Sequence, residues 1–218
     1  MDLATITQLL NLANSAWELY ESLQSLVEDK MAGILSVVGD TEFDAAKRHL
    51  ENIKTMWANN PHLSQKEKQE LANRYVELAI GDLERAYDKF VRTAPKGLPR
   101  FLKESRLGGS GYAERAEAYG KACEAALLES VCYKYIRDSG TAAKYLSKAE
   151  TFYDEYSKAA MDDFLQSKTY WAPGVAGMSY GRWIEPSKSE VKAMEDQLKK
   201  EKDRLNKLTL WTTTGRRP

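Results

Sequence analysis

Histidine and cysteine are scarce, which removes most metal and redox chemistry from consideration. The 218 residues include two of each, His49 and His62, Cys123 and Cys132. With no Cys-x-x-Cys pair and no Cys/His cluster, neither a zinc site nor another cofactor is expected, and the unpaired thiols suit a reducing compartment, the cytoplasm. The two cysteines lie on one expected helix, where their spacing corresponds to a rotation of about 900° and sets them on opposite sides. They are not expected to pair, and both read as small buried apolar groups.

Net charge is missing as well. Lys+Arg and Asp+Glu each number 32, so no overall field draws the chain onto nucleic acid or an anionic membrane, and any electrostatic role must be local. No apolar run approaches the roughly 18 residues of a membrane span, and Met1-Asp2-Leu3 lacks the basic start of a signal peptide. Neither integral membrane insertion nor secretion is expected. Sustained period-two alternation is also lacking, so strand content should be close to nil.

Helical periodicity fills the space these absences leave. Leu3, Ile6, Leu10, Ala13, Trp17, Tyr20, Val27, Met31, Ile34 and Val38 recur at steps of three and four, with Leu23 standing in where Gln24 breaks the stripe. Between Leu3 and Trp17 there is no charged residue, and the second face offers Thr5, Thr7, Gln8, Asn11, Asn14 and Ser15. A helix open to water usually carries charge there, so this one is expected to be covered on both faces.

Gly39-Asp40-Thr41 ends that helix and caps a second, to about Trp57, before the turn Asn59-Asn60-Pro61. Ser64 with Glu67 forms a capping box that opens a third, to about Thr93. Pro95, Gly97 and Pro99 stop it, and Leu107 to Gly111 (LGGSG) reads as a flexible joint. A fourth helix is expected from Tyr112 to Arg137, a turn at Ser139-Gly140, and a fifth from Thr141 to Lys168. The last begins near Ser187, with Glu190 three residues on and Val191, Met194, Leu198, Leu205 and Leu208 at heptad-like spacing. The expectation is therefore an all-α helical bundle of about six helices. Residues 1–168 form the bundle, 169–186 an ordered aromatic and glycine-rich loop, 187–208 a C-terminal helix packed on the bundle, and 209–218 a flexible tail.

Three helices share one pattern, a large residue followed by Ala three on and large residues four and seven on from Ala: Phe43, Ala46, Leu50, Ile53; Leu83, Ala86, Phe90, Thr93; Leu146, Ala149, Tyr153, Tyr156. The small Ala admits a neighbouring helix and the large residues fill the groove beside it. The second copy, Gly81-Asp82-Leu83-Glu84-Arg85-Ala86-Tyr87-Asp88-Lys89-Phe90 ending at Pro95, resembles the second helix of a tetratricopeptide hairpin, and the third, after Ser139-Gly140, is similar. The likeness spans about half the chain. It departs from the family in the spacing of its copies and in Thr93, where a small residue is usual. The resemblance implies TPR-like helical hairpins with a concave surface for a peptide or protein, not catalysis.

Two local features carry functional expectations. The stretch from Lys89 to Arg106 sets Lys89, Arg92, Lys96, Arg100, Lys103 and Arg106 against one acid, Glu104, with Phe90 and Phe101 interleaved. Phosphate neutralisation with aromatic stacking is chemically available there, against the plainer role of a basic helix end complementing the helix dipole. The segment Tyr170 to Pro186 (YWAPGVAGMSYGRWIEP) is too long for an ordinary helix connection and too aromatic for a disordered linker. It suits an ordered lid over the helices or a recognition surface, in which Trp171, Tyr180, Arg182 and Trp183 are the residue types that dominate binding hot spots.

No catalytic constellation emerges. Neither histidine has an evident carboxylate partner set in a recognisable motif, the chain lacks Glu-x-x-His, and LGGSG has neither the lysine of a P-loop nor a preceding strand. Asp162 and Asp163 point about 100° apart on a helix and read as a solvated pair. The sequence thus suggests a non-enzymatic helical assembly subunit with a protein partner or a second copy of itself, or else a nucleic-acid-binding accessory subunit of a ribonucleoprotein complex. Residues 1–63 carry 4 basic and 9 acidic groups and residues 187–218 carry 9 and 5, a complementarity that favours contact between the two ends. If the first helix mediates assembly, removing residues 1–20 lowers the molar mass measured by light scattering. A truncated chain that keeps the assembly state of the full chain would contradict that role.

Overall fold

The computed structural model describes residues 40–93, 111–172 and 182–214, together with Asn11, which is helical. The first expected helix, apart from Asn11, and the LGGSG joint before Gly111 lie outside the described residues. Within them are five helices: α1 (Asp40–Asn59), α2 (Gln65–Thr93), α3 (Gly111–Tyr135), α4 (Ser139–Lys168) and α5 (Lys188–Thr214). The fold is an all-α helical bundle, and each helix packs on the next in sequence, with α3 also touching α5. None of the described helices is long and apolar enough to cross a membrane.

The stripes read from the sequence are the packing faces. Phe43, Ala46, Leu50 and Ile53 of α1, Leu83, Ala86 and Phe90 of α2, and Leu146, Ala149, Tyr153 and Tyr156 of α4 are all buried. Phe43 and Phe90 meet edge to face with ring centroids 6.0 Å apart, closing α1 on α2. The start of α2 is fixed by its capping box: the Ser64 N–H donates to Glu67 Oε2 at 2.8 Å, and the Glu67 N–H donates to Ser64 Oγ at 3.3 Å. Ser187 and Glu190 repeat the arrangement at the start of α5, at 2.8 and 3.3 Å.

Helix α3 differs in kind. Every residue from Gly120 to Cys132 is buried, whichever way it points. Cys123 and Cys132 are consequently both buried and unbridged, although they face different ways, and burial pushes the Cys132 thiol up to about 12. Small side chains make this central position workable, because Ala122, Ala125 and Ala126 let neighbours close in. At Gly120 a Cβ would stand 3.4 Å from the Tyr156 ring.

The turn between α3 and α4 comes earlier than Ser139-Gly140. The Asp138 N–H donates to the Tyr133 carbonyl at 2.9 Å and the Arg137 N–H to that of Lys134 at 3.2 Å, the two bonds of a Schellman motif. This places Arg137 at φ 67°, a position that favours glycine. Asp138 then caps α4 by accepting the Thr141 N–H at 3.0 Å, so Ser139 and Gly140 become its first helical residues. The capping carboxylate decides the boundary here, over the glycine.

Two further boundaries differ from expectation. Residues 169–186 contain two short strands, β1 (Tyr170–Ala172) and β2 (Arg182–Ile184), paired antiparallel with Trp171 opposite Trp183. Helix α5 continues past Leu208 to Thr214, since no proline or glycine intervenes before Gly215. It is held by buried Met194, Leu198, Leu205 and Leu208, by the Tyr153 hydroxyl donating to the Leu198 carbonyl, and by Lys202 pairing with Asp154 at 2.5 Å. Beside it an open groove of about 760 Å³ against α4 carries Asp154, Asp162 and Glu195 along with Lys158, Lys199 and Lys202, so it presents no dominant sign.

Tyr153→Phe removes a buried bond between α4 and α5 and leaves the packing in place. The expected loss is about 1 kcal/mol, measured by urea unfolding, with faster amide exchange confined to α5. Unchanged stability would show that the bond contributes nothing.

Candidate functional site

Of the residues singled out in the aromatic segment, Trp171, Arg182 and Trp183 lie on the two paired strands. Helix α4 ends because Thr169 adopts extended backbone angles while its hydroxyl donates to the Leu165 carbonyl at 2.6 Å. The chain passes directly into β1, whose partner β2 carries Arg182 and Trp183. Arg182 is exposed, and Trp183 is 47% exposed, the largest aromatic side chain turned to water among the described residues. Trp171 is its cross-strand register partner. Tyr180 lies outside the described residues.

Of the basic stretch, only Lys89 and Arg92 are described. Lys89 donates to Glu42 of α1 and thus serves the α1–α2 contact, while Arg92 lies 3.7 Å from Asp88 one turn back on α2. Lys96, Arg100, Lys103 and Arg106 lie outside the described residues.

One acid–base reading needs correction, and one histidine has a partner that no motif foretold. His49 does have a carboxylate neighbour: its Nε2 stands 3.3 Å from Asp82 of α2, which also accepts from Arg85. The partner sits on another helix, out of reach of any sequence motif. His62 is exposed. Asp162 and Asp163 are not a solvated pair, because Asp163 is 3% exposed and continues the buried stripe of α4. Their separation around the helix sends one carboxylate outward and the other inward.

The most unusual chemistry lies where α2, α3 and α4 meet, and it was not foreseen. Five aromatic rings form a continuous ladder. Tyr133 of α3 stacks on Tyr145 of α4 with centroids 5.5 Å apart and planes 7° from parallel. Tyr145 meets Tyr87 of α2 edge-on at 6.2 Å, and Tyr87 meets Phe152 at 5.5 Å. Phe152 stacks on Tyr119 at 6.1 Å. The Lys148 ammonium lies 4.5 Å from the Tyr87 ring centre and 4.4 Å from that of Tyr145, a cation held between two π-faces.

Glu129 of α3 lies against this ladder with 0% exposure. Neither of its carboxyl oxygens has a hydrogen-bond partner among the described residues. Burial pushes its pKa up to about 8; the Tyr145 hydroxyl and Lys148 pull it down, while Glu84 and Asp88 of α2 push it up. Tyr145 is close enough to favour the carboxylate but falls short of hydrogen-bond geometry, so burial dominates. The rings respond in the same sense: burial, then the charges of Glu129 and Asp88, raises the Tyr87 hydroxyl to about 12. Tyr133 donates to Glu84 at 2.8 Å and is likewise raised, chiefly by burial.

The junction thus combines a buried acid whose pKa is raised, four phenols and one ammonium. Glu84 and Tyr87, Glu129 and Tyr133, and Tyr145 and Lys148 are local pairs on three different helices, which is why no single segment announces the site. The available signal was the run Ala125-Ala126-Leu127-Leu128-Glu129-Ser130-Val131-Cys132, where a carboxylate is surrounded by apolar residues along the chain.

Among the described residues no group of three His, Cys, Asp or Glu side chains is placed to hold a metal ion. Compared with protein-family models, curated proteins and solved structures, the chain matches none of them. The tetratricopeptide likeness therefore remains one of pattern.

Replacing Lys148 with Met keeps an apolar stem over the rings and removes the cation. The expected cost is about 1 kcal/mol in urea unfolding, whereas the same change at exposed Lys144 shifts stability by less than about 0.5 kcal/mol. Equal effects at the two positions would rule out a specific role for the cation between the rings.

Proposed function

We propose that the chain is a non-enzymatic helical interaction subunit that engages a protein partner, or a second copy of itself, through the β1–β2 hairpin. The observation that carries this reading is Trp183, nearly half exposed beside exposed Arg182 on a paired strand. Leaving an indole in water forgoes the favourable burial of a large apolar surface. Tryptophan and arginine are also the side chains that most often contribute the bulk of binding energy at protein interfaces. Both sit on a paired strand, and backbone already held by pairing loses less conformational freedom on binding.

The bundle supports the same role as a scaffold. Successive helices packed on their neighbours suit a TPR-like arrangement, and the two buried thiols suit work in the cytoplasm. By residue type, the sequence adds Trp171 and Tyr180 as candidates for the same contact.

Arg182→Glu with Trp183→Ala is expected to leave the unfolding midpoint within about 0.5 kcal/mol of wild type and to abolish partner or self-association, followed by cross-linking and light scattering. Retention of every association by this variant would contradict the proposal. So would loss of salt-sensitive nucleic-acid binding on reversing Lys96, Arg100 and Lys103 to Glu, because that result assigns function to the basic stretch.

A further inference from the structure

Glu129 is an odd residue to place at the centre of a bundle. It is fully enclosed, neither oxygen has a hydrogen-bond partner among the described residues, and the three-helix junction closes around it. Burying a carboxyl group without partners strongly disfavours its charged form. The surrounding groups do not reverse that preference. From α2 it faces Glu84 and Asp88, whose negative charges oppose ionisation, and Tyr87. From α4 it faces Tyr145 and Lys148, which favour ionisation. On α3 itself lie Tyr133, which donates to Glu84, and the Cys132 thiol.

We propose that this junction of α2, α3 and α4 is a proton-sensitive latch, closed while Glu129 holds a proton and weakened when that proton is lost. A neutral carboxyl group lets the stacked Tyr133–Tyr145 pair and the Lys148 cation close over it. An ionised one places an enclosed negative charge, itself cut off from water, near the exposed carboxylates Glu84 and Asp88, whose repulsion of it solvent only partly screens. Opening the junction exposes Glu129 to solvent, so deprotonation favours the open form.

The pH dependence follows from linkage. Below about 4.5 both the folded and the unfolded chain carry this proton. Between there and about 8, the value to which burial raises Glu129, only the folded chain does. Unfolding then releases a proton, and stability falls as pH rises through the window. Above it neither state holds the proton and the loss is complete.

The direct test is a carboxyl-carbon NMR titration of the full chain with labelled glutamate, assigned by the resonance missing in Glu129→Gln. The expected midpoint is near 8, followed at the same pH by shifts in the Tyr133 and Tyr145 ring signals. Lys148→Met should move the midpoint up and Glu84→Gln should move it down. In urea unfolding, Glu129→Gln should lack the decline that wild type shows between about pH 5 and 8. The absence of any glutamate resonance titrating near 8 in the wild-type chain overturns the proposal whether or not the Gln variant folds. Ring signals indifferent to the titration overturn it as well, since the latch requires the ladder to respond.

Discussion

The burial of α3 on all sides is the constraint on which the rest of the structure depends. A helix with one wet face can shed charge into water, but from Gly120 to Cys132 this one has no such face. Each neighbour must therefore present a continuous apolar or aromatic stripe, and α2, α4 and α5 do so. Burying side chains such as Leu127 and Leu128 contributes about 1.5–3 kcal/mol each. Polar residues caught in the same stretch, Lys121, Glu124, Glu129 and Ser130, have to be accommodated internally: Lys121 meets Glu117 at 3.2 Å and the Phe90 ring, and burial shifts Glu129 toward its neutral form. The tyrosine ladder, Lys148 and the raised proton affinity of Glu129 all follow from putting a polar-bearing helix at the centre.

Much of this was legible in the chain. Steps of three and four picked out the buried faces of α1, α2 and α4, because a helix that packs on one side must repeat at 3.6 residues. Ser64 with Glu67 and Ser187 with Glu190 marked two helix starts, because a capping box is local chemistry. Boundaries failed where two local signals competed, as when Asp138 capped α4 ahead of Ser139-Gly140. The strands in the aromatic segment were too short for alternation to show, although Tyr170, Trp171, Trp183 and Ile184 are good strand formers.

The candidate sites divide on the same principle. Arg182 and Trp183 stood out because adjacent residues of the right type suffice to suggest a contact surface. Glu129, Tyr145 and Glu84 did not, because their meaning comes from helices that approach only after folding. His49 with Asp82 is a smaller instance, a pair joined across α1 and α2 and separated by more than thirty positions in the chain. The hairpin and the junction are connected through one element, since α4 carries Tyr145 and Lys148 in its first half and passes into β1 at its end.

Amide hydrogen exchange under native conditions tests the centrality of α3 most directly, because it ranks segments by the free energy needed to open them. Amides from Ala122 to Val131 should exchange last, only through global unfolding, while those of α1 and of α5 beyond Leu208 exchange earlier through local opening. If α3 exchanges as fast as either of those helices, it is not the element on which the others depend, and the account is wrong.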